Sequence, residues 1–322
     1  MLVVQKFGGS SVADARRLLH VAQICLGQRR RGYDLVVVVS AMADSTDRLL
    51  ELAGEINPNP TPRELDALLS TGEQQSAALL AMTLQSMGAK AESLTGWQAG
   101  IITESRHKDA DIELIAEQRL RELLSRGIIP VVCGFQGIDL KGDICCLGRG
   151  GSDTTAVALT AALGADRCEI YTDVDGIYTA DPRHIKDARK LESIDYRDML
   201  ALAEAGSQVL HPKSVEIAML NNLELWVRSS FQNGTGSQVS FLPGDKRPGL
   251  AGITRKAQTL SLAGKAANAA ALSAAVLTLS EAGIAVLDGS IEQGRIGIKP
   301  EEGKVTQAME LLHRRLVLEE ND

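Results

Sequence analysis

Residues 147–153, Leu147-Gly148-Arg149-Gly150-Gly151-Ser152-Asp153, bring glycines, a guanidinium, a hydroxyl and a carboxylate into one short stretch. Glycine lets a backbone turn sharply and approach a ligand closely. Arginine grips a carboxylate or phosphate with two parallel hydrogen bonds. Near the start of the chain, Lys6-Phe7-Gly8-Gly9-Ser10-Ser11 adds an ammonium to a second glycine turn. This turn follows a strand-like run and precedes a helical one. Backbone N–H groups in such a place bind phosphate oxygens, with the helix dipole behind them. Lys6 would then offer a point charge to a transferring phosphoryl group. The pair of stretches suits an enzyme that holds two anions close together. Each also has a plainer reading. The N-terminal stretch reads equally as a tight strand–helix turn with a surface lysine, and 147–153 as a helix cap in which Ser152 or Asp153 serves the first turn.

The common nucleotide fingerprints do not fit. G-x-G-x-x-G would need glycine at 153, where Asp153 stands, and G-x-x-x-x-G-K-[ST] is absent. Ser40, with Thr46 and Asp47 shortly after, follows the apolar run 35–39. Ligands of open α/β sheets sit at the carboxyl ends of strands, so these hydroxyls meet a ligand carboxylate or cap the next helix. Glu73, in Ser70-Thr71-Gly72-Glu73, would bind an ammonium or be a first-turn acid favoured by the helix dipole. Asp173 and Asp175 lie in an acidic turn after the run 169–172 and lack calcium-loop spacing.

The elements that must carry these residues alternate. Runs 2–4, 35–40, 128–133 and 169–172 read as buried strands, and 13–31, 62–87, 154–163 and 197–220 as helical stretches, the last broken at Pro212. Such alternation predicts an α/β fold with a mainly parallel sheet covered on both faces. Residues 241–249 hold two prolines and two glycines among charges, which marks 243–249 as a linker between domains 1–242 and 250–322. Beyond it, strands at 258–263, 284–290, 295–299 and 316–318 and helices at 269–282 and 305–315 give a β-α-β-β-α-β order, the ferredoxin-like motif.

Composition narrows the partners. A net charge of −7 argues against nucleic acid or an anionic membrane surface, and 44% hydrophobic residues suffice for a buried core. The run 35–39 is far too short to span a bilayer. Five cysteines, Cys25, Cys133, Cys145, Cys146 and Cys168, show neither metal-ligand nor disulfide spacing and read as free thiols. With no signal-peptide pattern at the start, the cytoplasm is the expected location.

Taken in order, these stretches resemble the aspartate kinases of the amino-acid kinase family. The resemblance is carried by KFGGSSV (6–12), VVVSAM (37–42), LLSTGEQQS (68–76), GWQAGIIT (96–103), GFQG (134–137), LGRGGSDTTA (147–156), TDVDGIYTADPR (172–183), VLHPKSVEIA (209–218) and VRSSF (227–231). It implies an αβα sandwich kinase domain followed by a small ferredoxin-like (ACT) domain. It implies transfer of phosphate from ATP, with Mg²⁺, to the side chain of L-aspartate, giving 4-phospho-L-aspartate. That product opens the lysine, threonine and methionine routes or the ectoine route. By the same resemblance, Lys6 and Asp153 are catalytic, and Ser40, Thr46, Glu73, Arg149 and Ser152 bind aspartate. Lys6, Gly8, Gly9, Ser10, Thr172, Asp173, Tyr178, Arg183 and Gln208 bind the nucleotide. No protein metal ligand is implied, and a homodimer through the ACT-like domain is.

Two departures stand out. The family writes Gly-Ala-Lys-Val-Leu-His-Pro where this chain has Gly206-Ser207-Gln208-Val209-Leu210-His211-Pro212. Loss of one charged transition-state stabiliser costs about 3 kcal/mol, or a factor of about 100 in rate. The family also carries two ACT domains, with a Pro-Gly effector loop replaced here by Lys265-Ala266-Ala267-Asn268-Ala269-Ala270. These departures motivate an alternative reading: a regulatory paralogue that binds amino acid or nucleotide with little turnover.

Overall fold

A computed structural model describes residues 1–319. They fold as two compact units, Met1–Asp175 with Leu223–Thr235, and Gly176–Asn222 with the residues from Gly236 onward.

The first unit is built on parallel strands β1 (Leu2–Phe7), β2 (Asp34–Val39), β3 (Ala91–Leu94), β6 (Ile129–Cys133), β9 (Arg167–Thr172) and β13 (Leu225–Ser229). Their order is β13-β9-β1-β2-β6-β3. A smaller sheet, in the order β5-β4-β7-β8, comprises β4 (Ile101–Thr103), β5 (Ile112–Ile115), β7 (Gln136–Ile138) and β8 (Ile144–Cys146). The valine-rich β2 is buried on both faces, as parallel strands between helical layers must be. Helices α1 (Ala15–Arg30) and α4 (Thr71–Ser86) cover one face, laying Leu18, Val21, Leu80 and Leu84 over Val3, Leu35, Val37 and Val39. Helix α6 (Gly151–Leu163) packs on β1, β2 and β9, and α5 (Gln118–Ser125) on β6. Side chains alternate along a strand. Phe7 therefore joins the core under α1 and α4, while Lys6 points to the α6 side. Helices α2 (Ser45–Ile56) and α3 (Pro62–Leu69) fill the long connection from β2 to α4. The stretch 62–87 is thus two helices, parted at Ser70.

In the second unit β10 (Ile177–Tyr178) and β11 (Lys190–Leu191) form a short antiparallel pair, and β12 (Ser193–Asp195) runs parallel to β14 (Ser237–Ser240). Helix α7 (Tyr196–Glu204) ends well before α8 (Pro212–Leu220), whose first turn is set by Pro212. Residues 242–251 carry no helix or strand. They are nonetheless anchored, because Arg247 Nε donates to Asp198 Oδ2 on α7 at 2.8 Å.

The last part of this unit holds β15 (Gly252–Lys256), β16 (Thr259–Ala263), α9 (Ala269–Glu281), β17 (Val286–Glu292), β18 (Arg295–Pro300) and α10 (Val305–Leu312). Its antiparallel sheet has the order β15-β16-β18-β17. Leu279 of α9 and Ala308, Met309 and Leu312 of α10 pack with Leu260, Leu262, Ile296 and Ile298 of the sheet. The expected closing strand at 316–318 does not form. His313–Leu318 continues α10 as a wider helical turn, with Leu316, Val317 and Leu318 buried. The sheet edge beside β16 is taken by β15 instead. A hairpin through Ala257 and Gln258 closes a much shorter loop than a strand returning after α10, so it forms at less entropic cost. Among the described residues no helix is long and apolar enough to cross a membrane.

Candidate active site

The first unit gathers its polar loops at the carboxyl ends of β1, β2 and β9, where a parallel sheet leaves its loops open to a ligand. Phe7 ends β1 and stacks on Tyr171 of β9 at 4.7 Å between ring centroids. The chain then turns through Gly8 into the short helical turn Gly9–Val12. Gly8 donates its amide to the Tyr171 carbonyl at 3.1 Å, so that N–H serves the fold. A Cβ on Gly8 would lie 3.6 Å from Lys6 Nζ, so glycine keeps the space beside the ammonium clear. A Cβ on Gly9 would meet the Ala41 carbonyl oxygen at 2.7 Å. That close approach lets the loop after β2 seat on the glycine turn, with Ala43 N–H donating to Gly9 O at 3.1 Å. Ser40 lies in this loop and Thr46 in the first turn of α2, both half-buried.

Lys6 and Asp153, far apart in sequence, meet here. Lys6 Nζ lies 2.6 Å from Asp153 Oδ1, and both side chains are nearly buried. The contact lacks hydrogen-bond alignment at Asp153 Oδ1, so it is a charge contact and not a directed hydrogen bond. By residue type, Ser152 or Asp153 is the expected cap of α6. The structure corrects this: α6 begins at Gly151, and its cap position is Gly150, left-handed at φ +69° with no side-chain cap. A β-carbon is disfavoured at that φ and glycine is not. The early start leaves Asp153 in the first turn, free to face Lys6. Gly148, at φ +73°, and Gly150 flank Arg149, which is exposed. Ser152 is buried against Gly134, where an added Cβ would meet Ser152 Cβ at 2.6 Å.

Glu73 is the most unusual group of the set. It sits in the first turn of α4 with 4% of its surface exposed. Gly72 lets the helix close on Ala41, since a Cβ there would reach Ala41 Cβ at 2.8 Å. Glu73 Oε1 accepts the Ala41 N–H at 3.0 Å, while Oε2 is buried without a partner. Burial pushes its carboxyl up to about 7, against the opposing pull of the Ala41 N–H and the Lys6 charge. An orphaned acceptor of this kind is completed by a donor from a ligand.

The remaining expected residues fall in two places. Thr172 and Asp173 stand at the exit of β9, with Thr172 Oγ1 donating to Asp173 Oδ1 at 3.0 Å. Tyr178, Arg183 and Gln208 belong to the second unit. Arg183 is exposed and bound to Asp181, with Nη2 to Oδ2 at 2.7 Å. Gln208 is exposed in the loop between α7 and α8. The five cysteines are all free and buried, and burial pushes the Cys133 and Cys168 thiols up to about 12, which makes them poor nucleophiles.

Asp66 belongs to no motif visible in the sequence. This fully buried carboxylate of α3 accepts hydrogen bonds from Cys146 N and Lys108 N, each at 3.0 Å from Oδ2. Its signal was an acid among leucines, next to Leu65 and just before Leu68 and Leu69.

Comparison with known proteins gives the family of the chain. The amino acid kinase family matches residues 1–229. An aspartokinase of Geobacillus stearothermophilus is 54% identical over 238 residues, covering 74% of this chain and 58% of its own length. The chain thus spans a little over half of that curated relative. The crystal structure of an aspartate kinase from Synechocystis shares 40% identity, with a TM-score of 0.68 over 96% of this chain and 54% of that one. Escherichia coli aspartokinase III in complex with aspartate and ADP shares 26% identity, with a TM-score of 0.74 over 95% of this chain and 80% of that one. With the family match spanning residues 1–229, the chain belongs to the amino acid kinase family.

Proposed function

We propose that this chain is an aspartate kinase, transferring the γ-phosphoryl group of ATP to the side-chain carboxylate of L-aspartate to give 4-phospho-L-aspartate and ADP. The observation that carries the reading is Glu73, whose buried Oε2 has no partner and calls for a cationic donor such as an α-ammonium. Arg149, exposed between two left-handed glycines, takes the α-carboxylate with its planar fork. Ser40, Thr46 and Ser152 surround the substrate with hydroxyls.

The nucleophile is already a carboxylate, so no general base is required. Positioning and charge neutralisation then supply most of the rate. Lys6, beside the open space at Gly8, meets the transferring phosphate together with the amides of Gly9 and Ser10. Asp153 holds the Lys6 ammonium in place before the nucleotide arrives. Thr172 and Asp173, at the end of β9, contact the nucleotide. Bound Mg²⁺ would supply charge neutralisation on the nucleotide phosphates beside Lys6.

The chain assembles as a homodimer through its ACT-like domain. Support comes from the edge strand β17, which is exposed along nearly its whole length and presents Leu287 and Ile291, 62% and 50% exposed. An exposed sheet edge of this kind is a template for pairing with another chain.

The catalytic reading is tested with purified protein, L-aspartate, MgATP and hydroxylamine. Aspartyl hydroxamate is expected to accumulate in step with ADP. ADP release without hydroxamate, or neither product at high protein concentration, would sink the proposal.

A further inference from the structure

We infer that Asp66 is a positioning residue for the amino-acid end of the site: its carboxylate locks the helix that leads into Glu73 to the strand that leads into Arg149. The inference rests on the aspartate kinase reading above and deepens it.

Asp66 has no exposed surface. Its carboxylate gathers three donors from two other segments. Cys146 N–H, on β8, donates to Oδ2 at 3.0 Å. Lys108 N–H reaches both oxygens, at 3.0 and 3.2 Å. His107 Nδ1 lies 3.0 Å from Oδ2, and because a carboxylate only accepts, Nδ1 carries the hydrogen. Hydrogen bonds to an ionised acceptor are about twice as strong as neutral ones, so this is a firm three-way clamp. The main chain adds to it, with Cys146 Sγ donating to Asp66 O at 3.6 Å.

Both ends of the clamp run directly into proposed substrate contacts. On one side, Ser70 N–H donates to Asp66 O at 3.0 Å and closes the last turn of α3, and α4 with Glu73 starts at the next residue. Gln136 Nε2 fixes the joint by donating to Ser70 O at 2.8 Å. On the other side, Cys146 is also held by its carbonyl, which accepts the Ala110 N–H at 2.9 Å. The chain then passes through Leu147 and Gly148 to Arg149. Gly148 is pressed against the same His107–Asp109 segment: a Cβ there would meet Asp109 Oδ1 at 2.6 Å and Lys108 O at 3.1 Å. An α-amino acid must reach Glu73 with its ammonium and Arg149 with its carboxylate at once. Asp66 sets the span between those two contacts and touches neither. The glycine turn after β1 is held elsewhere, by the Gly8 N–H on Tyr171 O at 3.1 Å.

A residue that sets only this span has a kinetic signature that a general structural role lacks. In Asp66→Asn the side chain keeps its shape, loses its charge and turns an amide donor toward the Lys108 or His107 donor. Initial rates are measured with aspartate and MgATP varied in turn, alongside the wild type. The aspartate KM is expected to rise about tenfold or more, as small misplacements of substrate contacts do, while the ATP KM and kcat at saturating aspartate stay within about threefold. An unchanged aspartate KM overturns the inference. So does a fall in kcat with both KM values moving together, which marks a loss of fold and not of one contact span. If Asp66→Asn does not fold, Asp66→Glu, which keeps the charge and displaces it by one methylene, gives the same split with a smaller shift; equal changes in both KM values there overturn the inference. The two readings separate cleanly. Wild-type protein that makes no aspartyl phosphate removes the aspartate kinase reading and this role with it, whereas an active wild type with an indifferent variant removes only the role of Asp66.

Discussion

Glu169 and Glu73 are both buried carboxylates of the first unit, and their surroundings differ in one respect that matters. Glu169, in the middle of β9, has every side answered. Arg167 Nε lies 2.9 Å from Oε1, and Gln5 Nε2 and the Tyr171 hydroxyl donate to Oε2 at 2.8 and 3.0 Å. Arg228 Nε faces Oε1 at 3.7 Å. Glu73, at the end of the same sheet, has one backbone N–H on Oε1 and nothing on Oε2. The first arrangement ties β1, β9 and β13 together in the middle of the sheet. The second leaves a desolvated acceptor at the place where a ligand must enter. Glu169 is completed within the fold, whereas Glu73 keeps one oxygen open to a donor from outside it.

The largest expected effect tests the structural half of that contrast. Glu169→Ala strips the partner from Arg167 and Arg228, and removing one member of a buried pair costs about 3–5 kcal/mol. Both guanidiniums keep some access to water, 16% and 23% of their side chains, which favours the lower end. Urea unfolding of the variant measures this, and a loss below about 1 kcal/mol, the level of a surface ion pair, would erase the distinction.

The ligand half predicts the reverse pattern. Glu73→Gln removes a carboxyl that burial already disfavours, so the unfolding midpoint near neutral pH holds or rises. Aspartate binding weakens by about 1.5–3 kcal/mol, the worth of a charged hydrogen bond, which calorimetry reads directly. A destabilised variant with intact aspartate affinity would place Glu73 with Glu169 as a structural acid.

The smallest effect is in pH. Burial raises the Glu73 carboxyl from its ordinary 4.5 to about 7. A raised folded value means the folded state holds the proton more tightly than the unfolded one. Its contribution to stability is full below 4.5 and is lost as pH rises through about 7. An ammonium prefers the ionised form, so the aspartate KM falls as pH rises toward and through about 7 and then levels off. Glu73→Gln flattens this profile over the same interval. A wild-type aspartate KM that is constant or rising from pH 6 to 8 would contradict the shift.

Much of the fold was legible along the chain because its signals are local. The valines of β2 and the glycines around Arg149 announce a buried strand and a left-handed turn from their own types. Pro212 marks the start of α8 in the same way. The short strands β4, β5, β7 and β8 were not anticipated, since runs of three or four residues carry too little periodicity to stand out from a loop. The segment 316–318 is apolar enough for a strand, and only the local hairpin of β15 on β16 settled that it would not be one.

The site divides along the same line. By itself the sequence determined which chemical groups are present: an ammonium after a strand, a guanidinium between glycines, and acids at the starts of helices. It also determined where glycines, at 8, 9, 148 and 150, let the backbone turn sharply. The tertiary structure alone decided that Asp153 spends its charge on Lys6 and does not cap its helix. It alone decided that Gly8 gives its amide to Tyr171, that Glu73 lacks a second partner, and that Asp66 joins α3 to β8. The physical reason is that glycine and strand preferences act between neighbours in the chain. Desolvation and charge pairing depend on what the fold brings to a group from afar, and no stretch of sequence records that by itself.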